Sequence, residues 1–161
     1  MLRRVGVLTS GGDSPGMNAS IRAVTRTALY HGLEVIGIRR GYEGLLDGDF
    51  VPMTRSTVGG ILMHGGTILR TARCPEFMRP EGVNAGVSKL KENDIDALVV
   101  IGGDGSFHGA LELHKRGVQV VGVPGTIADP YTPLRAHEPA ADLVFRLLLS
   151  TQQTARTPPT L

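Results

Sequence analysis

An open α/β fold, a parallel sheet covered by helices on both faces, is the fold class this sequence predicts. Two observations predict it. Three short apolar runs, Val5–Leu8, Ala97–Ile101 and Val118–Val123, each lead into a glycine-rich loop: Gly11-Gly12-Asp13, Gly102-Gly103-Asp104-Gly105 and Pro124-Gly125-Thr126. Between the runs lie segments whose apolar residues recur at helical spacing, so strand and helix alternate. A βαβ order implies right-handed crossovers and parallel strands. All three loops then emerge at the carboxyl edge, where open α/β sheets bind ligands. Glycine there lets backbone N–H groups approach a bulky anion, because no Cβ intervenes. The pattern reads as a phosphate-binding domain, for a nucleotide.

Val5–Leu8 is short and wholly apolar, as a strand buried on both faces must be. Pro15 and Gly16 break the chain before a helix from Met17 to Tyr30. Met17, Ile21, Val24 and Ala28 form its apolar stripe, with Arg22, Thr25 and Arg26 off it, and Gly32 is its stop. Glu34–Ile38 is the second strand. Gly41, Gly44 and Gly48 mark an irregular stretch, Thr57–Met63 is read as a short helix, and His64-Gly65-Gly66-Thr67 is a turn. Pro80 suits the first turn of a helix running to Asn93, with Val83, Val87 and Leu90 on one face. Ala97–Ile101 is a strand. Ser106–Arg116 is a helix with Phe107, Ala110, Leu111 and His114 on one side, and Val118–Val123 closes the series.

The 161 residues suffice for one domain with a core, and 41% apolar with 20% charged residues exclude disorder along the whole chain. A net charge of +2 gives no footprint for nucleic acid. The single cysteine, Cys74, excludes an internal disulfide and fits a reducing, cytoplasmic compartment. No run approaches the length of a membrane span. Beyond Ile127 the composition changes. None of the 22 glycines lies in residues 128–161, whereas five of the ten prolines do. Two divisions follow: a domain over residues 1–127, and a divergent tail over 128–161 whose Leu143–Leu149 patch suits one short helix.

Several constellations could carry chemistry. In Gly102-Gly103-Asp104-Gly105-Ser106 the order strand, glycine turn, helix start offers free N–H groups to a phosphate, and Asp104 could hold Mg²⁺ carried by it. The alternative is a plain turn in which Asp104 or Ser106 caps the helix. Ser10–Gly16 repeats the logic, with Asp13 as a cap of the helix at Met17. Arg73-Cys74 lies in a loop; a lone loop arginine reads as a surface charge and a lone cysteine as a small buried hydrophobe. Arg22 and Arg26, one turn apart, can converge on one anion or form a solvated face. The five histidines show no metal-ligand spacing. Neither a GxxxxGK[ST] loop nor a GxGxxG fingerprint is present.

The opening run Gly6-Val7-Leu8-Thr9-Ser10-Gly11-Gly12-Asp13-Ser14-Pro15-Gly16-Met17-Asn18 resembles the start of bacterial ATP-dependent 6-phosphofructokinases. So do Gly65-Gly66-Thr67-Ile68-Leu69, Arg73-Cys74-Pro75-Glu76-Phe77, Val100–Ser106 and Pro124-Gly125-Thr126-Ile127, in the family's order and spacing. The NAD kinase and diacylglycerol kinase types share the central loop but not the opening run or the Arg73–Phe77 stretch. The resemblance implies a Rossmann-like parallel sheet, the truncated amino-terminal part of the family's ATP domain. It implies transfer of the γ-phosphoryl group of ATP to the 1-hydroxyl of fructose 6-phosphate in glycolysis, with Mg²⁺. Gly12, Tyr42, Arg73, Cys74, Gly103, Asp104, Gly105 and Ser106 match the nucleotide site, Asp104 serving the metal. Arg73 and Thr126 match catalytic positions, and Gly105 and Gly125 are the choices that favour ATP over pyrophosphate. Arg22, Arg26 and Arg55 match an effector site, and the family is typically a homotetramer without membrane or nucleic-acid partners.

The resemblance stops after Ile127. Where the family continues Asp-Asn-Asp, the first Asp being the base for the sugar hydroxyl, this chain has Ala128-Asp129-Pro130. The break points to a frameshift, a mispredicted gene end or a chimeric sequence. It implies a chain inactive alone and prone to aggregate, or a noncatalytic nucleotide-binding fragment or partner of a full-length subunit.

Overall fold

The structure, a computed structural model, describes residues 2–125. Along them run β1 (Arg4–Thr9), α1 (Met17–Tyr30), β2 (Glu34–Ile38), α2 (Gly41–Asp47), β3 (Phe50–Pro52), α3 (Pro80–Glu92), β4 (Ala97–Gly102), α4 (Asp104–Lys115) and β5 (Gln119–Pro124). Short 3-10 turns occupy Ile61–Met63 and Pro75–Met78. The strands form one sheet in the order β3-β2-β1-β4-β5. β1 pairs in parallel with β2 on one side and β4 on the other, so Val5 lies opposite both Val35 and Ala97. β5 extends the parallel run beyond β4. The chain therefore winds outward from β1 in both directions, and the strand order reverses between the carboxyl ends of β1 and β4. That is where an open α/β sheet leaves a crevice.

The strand pleat sorts the core into two layers. Val5 and Val7 of β1 join Val99 and Ile101 of β4 beneath α1, which contributes Met17, Ile21 and Ala28. Leu8 joins Leu98 and Val100 on the opposite face, under Tyr42 and Leu45 of α2, Val83, Val87 and Leu90 of α3, and Leu113 of α4. Helices thus cover both faces, as the alternation predicts. Side chains such as Leu8, Ile21, Leu98 and Leu113 are wholly inaccessible. Each such burial stabilises the fold by about 1.5–3 kcal/mol.

Four expectations are corrected. The stretch around Gly41, Gly44 and Gly48 is not irregular but carries α2. Its glycines serve close approach: a Cβ at Gly41 would lie 2.8 Å from the Thr9 carbonyl oxygen, and one at Gly44 would strike that of Arg39. Tertiary contact here overrides low helix propensity. The sheet is not purely parallel, because β3 pairs antiparallel with β2. The connection through α2 is too short for a parallel crossover, and Gly48, with φ +76°, turns the chain back. Thr57–Met63 forms only the 3-10 turn at its end.

α4 begins at Asp104 rather than Ser106 and buries Ser106, Ala110 and Leu113, while Leu111 and His114 are exposed. The tail from 128 onward lies outside the described residues. Thr25 also departs from its expected place: put off the stripe of α1 by sequence, it is fully buried. Its hydroxyl has no hydrogen-bond partner among the described residues. An unpaired buried hydroxyl costs about 1–3 kcal/mol. Thr25→Val is therefore expected to raise the unfolding free energy by about 1 kcal/mol in urea titration; a loss of stability would contradict this account of α1.

Candidate functional site

β1 and β4 end side by side, Thr9 opposite Ile101, and the first two glycine loops leave together. The Ser10 amide donates to the Ile101 carbonyl at 2.9 Å, which holds the first loop against β4. Gly102 makes this approach possible. A Cβ there would lie 2.5 Å from the Ser10 carbonyl oxygen and 2.5 Å from Ser106 Oγ. Gly11 then turns the loop with φ +92°.

The amino end of α4 opens beside it. Gly103 is the N-cap in an extended conformation, and no side chain caps the helix. The amides of Ser106 and Phe107 both reach back to the Gly103 carbonyl. Uncapped amides and the helix dipole make this end a site for negative charge. Among the described residues, no atom stands within 4 Å of a Cβ built at Gly12 or Gly105, so both face open space there. Asp104 lies in the first helical turn with its side chain 72% accessible, its Oδ2 3.9 Å from His108 Nδ1. The alternative in which Asp104 or Ser106 merely caps α4 is not what the structure has. Asp13 does not cap α1 either: the N-cap is Gly16, without a side-chain bond. Asp13 is exposed and lies beside Gly66, its Oδ2 3.3 Å from a Cβ built there.

The opposite wall comes from a strap, residues 61–74, laid across the end of β1. Asn18 of α1 reaches into it from below. Its Nδ2 donates to the carbonyls of Ile61 at 3.2 Å and His64 at 3.1 Å. Its Oδ1 accepts from the Ile68 amide at 2.9 Å. Thr9 Oγ1 donates to the Arg70 carbonyl at 2.9 Å and lies 3.0 Å from Thr67 Oγ1. The Arg40 amide donates to the Leu69 carbonyl at 2.8 Å. Arg70 takes a left-handed conformation, φ +59°, and the chain beyond it, Thr71–Cys74, lines the cleft.

Phe77, in the turn that follows, stacks on Tyr42 with ring centroids 4.2 Å apart. The Tyr42 hydroxyl donates to the Ser106 carbonyl at 2.5 Å. Burial pushes its pKa well above the ordinary phenol value, so it remains a neutral donor. Burial likewise raises the half-buried Cys74 thiol, against a nucleophilic role.

The open cleft has a volume of about 820 Å³. Gly12, Tyr42, Arg73, Cys74, Gly103, Asp104, Gly105 and Ser106 all line it. So do Thr71, Met78 and Gly109, which the sequence reading missed. Gly109 had a signal: it stands one helical turn after Gly105, on the same side of α4. Of the third loop, Gly125 is not among the described lining residues; its amide donates to the Gly102 carbonyl, and Thr126 lies outside the described residues. Arg22, Arg26 and Arg55 are not among the cleft residues. The Arg22 guanidinium donates to the Val58 carbonyl at 2.5 Å, and Arg26 and Arg55 are exposed.

Gly102→Ala tests the close approach. Its Cβ meets backbone that cannot step aside, so a loss of about 1–3 kcal/mol is expected in denaturant titration. Gly12→Ala should change stability far less.

Residues 4–131 match the family described as Phosphofructokinase. The chain is 59% identical over 133 residues to the ATP-dependent 6-phosphofructokinase of Lactobacillus helveticus, covering 81% of this chain and 42% of that protein. It is 60% identical over 126 residues to the ATP-dependent 6-phosphofructokinase of Halalkalibacterium halodurans, covering 78% and 40%. Among solved structures, Pichia pastoris phosphofructokinase in the T-state aligns with a TM-score of 0.75 at 38% identity, over 78% of this chain and 15% of that one. The chain thus spans about two fifths of the length of the curated relatives it matches. The sheet order, the two glycine loops meeting over one cleft and the match across most of the sequence converge on one conclusion: the chain belongs to the phosphofructokinase family.

Proposed function

We propose that this chain is the nucleotide-binding part of an ATP-dependent 6-phosphofructokinase, which phosphorylates the 1-hydroxyl of fructose 6-phosphate. One observation carries the reading: the uncapped end of α4 and the loop after β1 face a single cleft, with open space over Gly12 and Gly105. A polyphosphate suits that geometry, since the amides of Gly12, Gly103 and Gly105 approach it without side chains between. Ser106 and Cys74 border it, and Tyr42 closes the floor. The Arg73 guanidinium, on the strap, neutralises charge that accumulates on the transferring group, an effect specific to the transition state. Thr126 is carried as a second catalytic residue on family resemblance alone.

The chemistry of the donor set fits Mg²⁺ brought in by the nucleotide. Among the described residues no group of three or more His, Cys, Asp or Glu could hold a metal unaided. Asp104 offers one exposed carboxylate at the cleft, and Mg²⁺ characteristically takes one or two carboxylates beside substrate phosphates. Bound there, the cation would offset phosphate charge.

In the transfer, the sugar hydroxyl oxygen bonds to the γ-phosphorus, the bond to the β–γ bridging oxygen breaks, ADP leaves, and the hydroxyl proton needs a base. At the position where the family resemblance places that base stands Ala128. This favours a second reading for the 161-residue chain: nucleotide binding without transfer. Arg22, Arg26 and Arg55 as an effector site, a homotetrameric assembly and a cytoplasmic location complete the proposal. No helix among the described residues is long and apolar enough to cross a membrane.

Calorimetry decides between binding and inertness. Mg·ATP is expected to bind the wild-type chain, and Asp104→Ala to weaken it about tenfold while affecting metal-free ATP little. A wild-type chain that evolves no heat with Mg·ATP would reject the reading. Gly105→Asp separates ligand from fold: its side chain enters open space at a helix start, so the melting temperature holds while ATP binding is lost. The chain alone should form no ADP dependent on fructose 6-phosphate, and turnover would show that a base other than residue 128 serves.

A further inference from the structure

The strap that carries Arg73 is held from within the protein rather than from its own ends. Asn18 is 1% exposed, and its carboxamide spends one oxygen and one nitrogen on three strap residues, Ile61, His64 and Ile68. None of those backbone groups lies in a helix or strand ladder that would hold it independently, apart from the single 3-10 turn at Ile61. Asparagine alone among short side chains offers a donor pair and an acceptor in one rigid plane. Aspartate of the same shape would set a carboxylate against two carbonyl oxygens. Downstream, Thr9 ties Thr67 and Arg70 to the end of β1. From Thr71 to Cys74 the chain is irregular and lines the cleft. The position of Arg73 therefore depends on where the strap is fixed before it and on the turn at Pro75–Met78 after it.

We propose that Asn18 is a positioning residue: from the first turn of α1 it fixes the strap and so sets where Arg73 stands in the cleft. It touches no ligand and acts through Arg73. The inference rests on the nucleotide reading above only for the part that concerns Arg73; the strap itself is tested without nucleotide.

The first arm measures alkylation of the Cys74 thiol by iodoacetamide in the 161-residue chain with no nucleotide present. Cys74 is the neighbour of Arg73 and half-buried, so release of the strap exposes it. Asn18→Ala is expected to raise the rate about tenfold through local opening. Val35→Ala, a core change in β2 chosen for an equal loss of melting temperature, should leave it near the wild-type value. Equal rates in wild type and Asn18→Ala, or an equal rise in Val35→Ala, would overturn the proposal. The second arm titrates Mg·ATP against Asn18→Ala, Arg73→Ala and the double variant. If Asn18 acts through Arg73, the double variant binds no worse than Arg73→Ala; fully additive losses would sever the link. A wild-type chain that binds no Mg·ATP defeats the functional reading and leaves the first arm to judge Asn18. Should Asn18→Ala not fold, hydrogen exchange on the wild-type chain decides. The Ile68 amide, outside every helix and strand, is expected to exchange as slowly as the β1 amides, and exchange at the rate of a free peptide would refute the clamp.

Discussion

The organisation of the molecule depends on one steric constraint, the absence of a side chain at Gly102. At the last residue of β4 the backbone passes so close to Ser10 and Ser106 that a single methyl group has no room. Because that space is empty, the loop after β1 and the first turn of α4 share a boundary. Each alone is an ordinary connection between a strand and a helix. Together they present two sets of unsatisfied amides to one volume, and neither set is consumed by a capping side chain. The cleft is thus a product of close packing at its base and of unspent hydrogen-bonding capacity at its surface.

The walls follow a different logic. Tyr42 joins three elements that are distant in sequence: it grows from α2, stacks on Phe77 of the turn before α3 and donates to a carbonyl in α4. Its ring leaves no space for a side chain at Gly109, whose built Cβ would stand 2.8 Å away. On the other side the strap is carried by polar side chains, Asn18 and Thr9, that are themselves buried and fully committed. One wall is therefore held by aromatic packing and the other by a buried polar network. Both place cleft residues through groups that need never meet a ligand.

Much of this was legible in the residues. Buried parallel strands write themselves as unbroken apolar runs, so β1, β4 and β5 stood out, and α1 was bounded at Met17 and Tyr30 by Gly16 and the stop after it. Gly12 and Gly103 to Ser106 were legible because their types repeat along the chain, glycine then acid at a strand end, whereas Tyr42, Arg73 and Cys74 were marked only by the family resemblance. What escaped was whatever depends on contacts remote in sequence. α2 was hidden because Gly41 and Gly44 are there to let backbones touch, and a local reading sees only poor helix formers. β3 was hidden because three residues carry no period. Asn18 gave no signal as a clamp, since its partners are backbone groups of residues 61–68 and backbone groups have no letter of their own. The buried face of α4 was misplaced because the apolar letters Phe107 and Leu111 drew the stripe to themselves, whereas the spacing that is buried runs from Ser106 through Ala110 to Leu113.

The central place of β1 carries a consequence for how the chain reaches its native state. One edge of β1 is completed early by β2, only one helix away. The other waits for β4, whose Ala97 pairs with Val5, so the ribosome must deliver most of the domain before that flank is covered. Such distant pairing is slow to nucleate, and an uncovered strand is adhesive in the interval. The two loops that form the cleft belong to the late pair. Competence to hold a ligand therefore arises at the final zippering of the sheet, and a bound ligand would act on the order of assembly as a latch closed last.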